Sequence, residues 1–343
     1  MKDSRNITVA TWLYCGAVCI IVQIILGGIT RLTGSGLSIT EWQPLLGALP
    51  PMDEKSWQHS FETYKQIAQF KVVNPHFNIS DYKSIFFWEW LHRNWARMLG
   101  IIFIIPFFIF LYQKKIGKTM CVPLAILFLL GLLQGVIGWI MVKSGLNDTR
   151  TAVNEIKLMI HFTTALILLC YTLWMAFTLS IPKVNVKIWP SMQQTAGITL
   201  ILILLQMSYG ALMAGSKAAL AAPTWPDMNG YFISPAIYQG EPEISYLLTI
   251  QLVHRLLAFL IAALVLLLCK KSLVGKTYPL LTYASFFSIV LISLQIILGI
   301  ATLLNSFDPV YRTYALLHQS TGILLLMNML LIFYVGRQNK TSI

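Results

Sequence analysis

Residues 23–27 read Gln23-Ile24-Ile25-Leu26-Gly27, and the same five residues return as Gln295-Ile296-Ile297-Leu298-Gly299. Both copies lie inside apolar stretches long enough to cross a bilayer, which takes about 20 residues of helix. The frame Gln-x-x-x-Gly recurs at Gln134/Gly138 and Gln206/Gly210. A spacing of four puts both residues on one helix face. Glycine on that face lets a neighbour approach closely. Four such frames imply a helical, internally repeated chain.

Working outward, eight segments read as spans, at roughly 8–30, 86–111, 120–142, 156–180, 193–215, 246–269, 279–304 and 313–335. Composition agrees: 57% of the 343 residues are hydrophobic, 11% are charged and the mean hydropathy is +0.69. Those values belong to polytopic membrane proteins rather than soluble domains. The expected fold is all-α, with eight transmembrane helices as two pseudo-twofold-related four-helix bundles. His254 lies 162 residues after His92, Gln295 161 after Gln134, and His318 157 after His161. This period divides the chain into residues 1–190, carrying a long outer loop at about 32–85, and residues 191–343. Four spans return a chain to its starting side, so the halves share one orientation, unlike inverted repeats.

The net charge of +12 does not form a nucleic-acid patch; it sorts by side. Lys2, Arg5, Lys114, Lys115, Lys118, Lys183, Lys187, Lys270, Lys271, Lys276, Arg337 and Lys340 fall at the N-terminus, in the even-to-odd connections or in the C-terminal tail. Asp3 is the one acid on that side. The positive-inside rule then places both termini in the cytoplasm. Met1 to Asn6 is a short polar lead into a span too long for a signal peptide, which points to a bacterial inner membrane. All five cysteines lie in or at the ends of apolar spans, so no outer-loop disulfide is expected. Cys15 and Cys19, one turn apart, read as buried small residues.

Four histidines sit near the outer ends of spans: His92, His161, His254 and His318. Burying a polar side chain in hydrocarbon is costly unless something binds it, so intramembrane histidines point to function. They pair by context. His92 and His254 precede Arg93 and Arg255, whereas His161 and His318 open His-x-[Ser/Thr]-Thr-[Ala/Gly] runs. Two bis-histidine sites at one membrane depth follow, and haem is the ligand such sites most often hold in a helical bundle. The glycines of the repeated frame would give a flat macrocycle its clearance. His59 and His76 belong to the first outer loop and read as surface residues. That loop alternates aromatic, acidic and Pro/Gly segments compatible with short amphipathic helices.

The halves differ at one point. Glu89 stands three residues before His92, and Gln251 three before His254, a spacing that shares a helix face. A carboxylate at this depth suits a proton acceptor or donor; its structural alternative is an i,i+4 ion pair with Arg93. Arg31, Arg93, Arg97 and Arg255 are candidates for bidentate contacts to haem propionates, with interfacial snorkelling as the plainer account.

At these residues a resemblance becomes specific. Gly27-Gly28-Ile29-Thr30-Arg31-Leu32-Thr33, Ser35-Gly36-Leu37-Ser38-Ile39-Thr40-Glu41-Trp42 and Phe86-Phe87-Trp88-Glu89-Trp90-Leu91-His92-Arg93 resemble the haem A synthase family. Thr224-Trp225-Pro226-Asp227-Met228-Asn229-Gly230 and Leu317-His318-Gln319 extend the match over essentially the whole chain. The resemblance implies a membrane enzyme that oxidises a pyrrole methyl of haem O to a formyl group, giving haem A for terminal oxidases. By the same resemblance, His254 and His318 would ligate a resident haem b, His92 and His161 would hold the substrate haem, and Glu89 would be the catalytic carboxylate. A haem O synthase and oxidase assembly factors are the implied partners, alongside membrane lipid; a homo-oligomer is left open. The first outer loop lacks the cysteine pair of some members, so the chain resembles the cysteine-free branch. A di-haem b electron-transfer subunit is the alternative. It too needs four histidines, but not an acid in one half only. A transporter would need further midplane acids, and beyond Glu89 the spans contain almost none.

Overall fold

The computed structural model describes residues 6–42, 46–182, 190–274 and 278–337. Lys2, Asp3, Arg5, Lys183, Lys187, Lys276 and Lys340, used above for sidedness, lie outside the described residues, as do residues 43–45 of the long loop.

Ten α-helices are present among the described residues: α1 (Ile7–Leu32), α2 (Glu54–Tyr64), α3 (Ile79–Tyr112), α4 (Lys118–Lys143), α5 (Glu155–Ser180), α6 (Pro190–Ser216), α7 (Ala236–Gln239), α8 (Pro242–Val274), α9 (Pro279–Leu304) and α10 (Tyr311–Arg337). Eight of them, all but α2 and α7, are long and apolar enough to cross a membrane. They match the eight expected spans. Two extend beyond expectation. α3 begins at Ile79 rather than near 86 because Asn78 and Asp81 close a capping box: Ser80 N and Asp81 N donate to Asn78 Oδ1, and Asn78 N donates to Asp81 Oδ2. Its first turns, which include Asp81 and Lys83, are too polar to be counted as hydrocarbon-spanning. α8 begins at Pro242, a residue pre-shaped for the first helical position.

The chain forms two compact units, Tyr14–Leu169, and Met1–Leu13 with Cys170–Ile343. In the second, α6 packs on α8, α8 on α9, α9 on α10, and α10 on α6, closing a four-helix ring. Val265, Leu268, Leu326 and Met329 are fully buried there. Asn328 Nδ2 donates to Ser288 Oγ and to the Ala284 carbonyl, both at 2.8 Å, a polar tie between α9 and α10.

In the first unit the long outer loop is folded rather than extended. Asp53 caps α2, accepting from Ser56 N at 2.8 Å. Phe61 and Tyr64 on α2 then pack with Leu37, Ile67, Tyr82, Ile85 and Phe86 into one buried cluster. Each large side chain fully buried there contributes about 1.5–3 kcal/mol. Gln69 Nε2 reaches back to the Gly34 carbonyl at 2.9 Å, and Gly34 itself has φ 69°, a conformation that suits glycine. Ala68 N donates to the Asn147 carbonyl, tying the loop to the turn after α4.

Candidate functional site

The histidines and the repeated frame meet one another. In four separate places, a glycine of the frame faces a histidine ring edge. A Cβ on Gly27 would stand 3.0 Å from His92 Cε1, on Gly138 2.9 Å from His161 Cε1, on Gly210 3.2 Å from His254 Cε1, and on Gly299 2.9 Å from His318 Cε1. The clearance expected for a macrocycle is therefore taken by the imidazole itself.

The glutamine of each frame engages the same histidine. Gln23 Nε2 donates to the His92 carbonyl at 3.1 Å and stands 3.4 Å from its ring Nε2. Gln206 repeats this at His254, with 3.0 and 3.3 Å. Gln134 Nε2 donates to the His161 carbonyl at 2.7 Å and lies 3.2 Å from Nδ1, while the Thr164 hydroxyl sits 2.7 Å from Gln134 Oε1. At the fourth site His318 Nδ1 donates to the Gln295 main-chain carbonyl at 2.9 Å. The sequence reading found the frame but missed its partners, which lie 69, 27, 48 and 23 residues away.

The rings also pair with each other. His254 and His318 have centroids 6.4 Å apart and planes inclined at 65°. Two metal–nitrogen bonds of about 2 Å each, plus the ring half-widths, fill such a gap. His92 lies within electrostatic reach of His161. Buried ring nitrogens without a partner, His92 Nδ1 and His254 Nδ1, add to the case for a ligand, because native buried polar atoms are nearly always satisfied. Among the described residues no group of three or more His, Cys, Asp or Glu side chains is arranged as a metal site. A group that supplies most of its own donor atoms, such as a haem, would fit a site to which the protein contributes two imidazoles.

Glu89 is buried, 2% exposed, and fully engaged. Its Oε2 accepts from Ser38 Oγ at 2.7 Å and Ile39 N at 2.8 Å, and its Oε1 from Arg93 Nη2 at 2.6 Å. The i,i+4 pair with Arg93 weighed above is thus present, joined by two loop donors that the sequence did not suggest. Ser38 is itself fixed, since Tyr82 Oη donates to its carbonyl. Burial pushes the Tyr64 phenol above its ordinary pKa, and the Glu89 charge adds to the rise. The corresponding Gln251 is fully buried; its Nε2 donates to the Ala222 carbonyl, while its Oε1 has no partner.

The two arginines that follow histidines both bind loop carbonyls. Arg93 donates to the carbonyls of Ile39 and Glu41. Arg255 donates to those of Ala222, Thr224, Pro226 and Asp227. The loop it holds is tightly built. Thr224 Oγ1 and Gly230 N donate to Asp227 Oδ1, and Asn229 and Gly230, both at positive φ, turn the chain back so that Met228 N meets the Tyr231 carbonyl. Arg97 pairs with Asn94 Oδ1 at 2.7 Å, and Arg31 lies in the last turn of α1.

Comparison with known proteins gives one consistent result. Residues 10–330 match the sequence profile of a family described as cytochrome oxidase assembly protein. A protein named Heme A synthase from Flavobacterium psychrophilum is 37% identical over 337 residues, covering 95% of this chain and 96% of its own length. Proteins of the same name from Parvibaculum lavamentivorans and a Caulobacter strain are 39% identical over 271 residues and 37% over 331, covering 78% and 95% of this chain and 77% and 95% of their own lengths.

Proposed function

Because the chain belongs to the cytochrome oxidase assembly protein family, we propose that it does what its relatives are named for and makes haem A. It is a multi-pass membrane oxidoreductase that converts haem O to haem A, and the electron-transfer alternative is not favoured. The observation that carries the finer division of labour is the pairing of one histidine site with an acid, Glu89, and the other with an amide, Gln251. On this reading residues 1–190 work on the substrate and residues 191–343 hold the resident cofactor, as duplicated four-helix units.

His92 and His161 would hold the substrate haem O from two sides, and His254 and His318 would ligate a haem b. Haem b, when bound, supplies one-electron redox capacity to carry electrons away. Everything else falls to side chains of this chain. With water as the source of the oxygen atom, a methyl becomes a formyl group by two successive two-electron oxidations that release protons and pass their electrons to an acceptor outside the chain. Glu89, held in place by its three donors, is the acceptor for the protons. Arg93 pairs with that carboxylate, and Tyr82 fixes Ser38, one of its donors. Arg31, Arg93, Arg97 and Arg255 are our candidates for propionate contacts; Arg93 and Arg255 combine this with holding their loops. The charge distribution supports an inner-membrane placement with both termini cytoplasmic. A haem O synthase is the expected donor, with oxidase assembly factors downstream.

The test is haem extraction from cells that make haem O but no haem A, with and without this chain. Haem A should appear only with it. Haem O and haem B alone, from membranes containing the inserted protein, would favour electron transfer instead.

A further inference from the structure

Two of the four glutamine–histidine pairs share an unfinished arrangement. In Gln23–His92 and in Gln206–His254, the amide donates to the histidine main-chain carbonyl, and two buried atoms are left without partners: the glutamine Oε1 and the imidazole Nδ1. One is an acceptor, and the other carries a proton in one of the two neutral tautomers. The remaining pairs differ. His318 Nδ1 already donates to the Gln295 main chain, which leaves only Gln295 Oε1 without a partner, and Gln134 Oε1 already has the Thr164 hydroxyl. The two unfinished pairs occupy matching places in the repeat, each on a His-Arg helix.

An imidazole bound to iron through one nitrogen keeps a proton on the other. That N–H needs an acceptor, which fixes the ring's orientation and raises its basicity. Glycine is the other half of the device, since any side chain at Gly27 or Gly210 would press on the ring edge at 3.0 or 3.2 Å.

Resting on the assignment of His92 and His254 as iron ligands, we propose that Gln23 and Gln206 are positioning residues whose side-chain carbonyl accepts the imidazole N–H of the iron-bound histidine. Gly27 and Gly210 seat the ring against them. The iron takes the other ring nitrogen, Nε2, which the glutamine Nε2 approaches at 3.4 and 3.3 Å, and the amide turns to bring Oε1 to the Nδ1 proton. Losing an outer partner of a metal ligand typically costs about 10–100-fold in metal affinity.

The experiment uses the purified, haem-loaded protein, read by pyridine haemochrome, low-spin ferric EPR and redox titration. His254→Ala serves as the check on the ligand assignment: undiminished haem b in that variant would overturn the assignment, and the proposal with it. With the assignment upheld, Gln206→Leu should weaken haem b retention about 10–100-fold, shift the EPR g values and move the midpoint potential positive. Gln206→Glu, a stronger acceptor of the same length, should move the potential negative. Gly210→Ala should shift the g values by turning the ring. A purely packing role for Gln206 predicts unchanged g values and potential in the folded Leu and Glu variants, and that result would overturn the proposal. If the Leu variant fails to fold, an unchanged potential in Gln206→Glu has the same force.

Discussion

Arg93 Nη2 lies 2.6 Å from Glu89 Oε1, one helical turn along α3, and the same guanidinium donates to the carbonyls of Ile39 and Glu41. One side chain therefore joins the buried acid to the loop after α1. The Glu89 side chain is 3% exposed and that of Arg93 16%, so the pair stands well out of water.

Breaking such a pair from one side leaves an uncompensated charge and costs about 3–5 kcal/mol, whereas neutralising both partners costs much less. Arg93→Met should therefore lower the apparent melting temperature of the detergent-solubilised protein strongly. Adding Glu89→Gln should recover much of the loss. Additive losses in the double variant would show that the pair is not coupled.

The division between the two histidine sites makes its own prediction. His254→Ala or His318→Ala should deplete bound haem b, because an iron with one axial ligand is weakly held. His92→Ala and His161→Ala should spare most of it. Haem b per chain, measured on the four purified variants, checks this; equal loss from all four would contradict it.

The start of α3 depends on its cap. Asn78→Ala removes the acceptor for Ser80 N and Asp81 N and should cost about 1 kcal/mol. Because Tyr82 sits in the first turns and bonds the Ser38 carbonyl, fraying there should loosen the segment that holds Glu89. Faster hydrogen exchange over residues 79–85 and 36–41 together is the expected signature.

The loop at residues 222–231 should respond to acid. Hydrogen bonds from Thr224 and Gly230 hold the Asp227 carboxyl below its ordinary pKa, with the Arg255 charge adding to them. A depressed carboxylate stabilises the folded loop at pH above its unfolded value of about 3.9, and the contribution is lost as pH falls through the lower folded value. Hydrogen exchange of residues 222–231, corrected for intrinsic rate, should stay slow at neutral pH and rise only below about pH 4. Asp227→Asn should remove that acid step.

Much of this was legible beforehand, for definite reasons. Spans announce themselves through apolar length, and the four histidines through their cost in hydrocarbon. The repeated frame showed in Gln23–Gly27 and Gln295–Gly299. What escaped was pairing at a distance. Nothing local links Ser38 and Ile39 to Glu89, 51 and 50 residues on, because those bonds exist only once the outer loop folds back over α3. The role of Gln23 was hidden for the same reason: the frame marks a helix face, not the ring that will lie on it. The polar first turns of α3 escaped because hydropathy reads Asp81 and Lys83 as loop, whereas the Asn78 cap makes them helix.

The central claim is that Glu89 takes part in the chemistry and is more than a partner for Arg93. Glu89→Gln keeps the side chain's length and copies what Gln251 already provides in the other half, while removing the ionisable site. Haems extracted from cells carrying this variant measure the claim most directly. The account predicts a protein that is less stable because Arg93 loses its partner, but that still folds and retains haem b, accumulates haem O or its hydroxylated intermediate, and makes about 10²–10⁴-fold less haem A, the range of general acid–base contributions. Haem A near the wild-type amount would contradict it and leave Glu89 a structural residue.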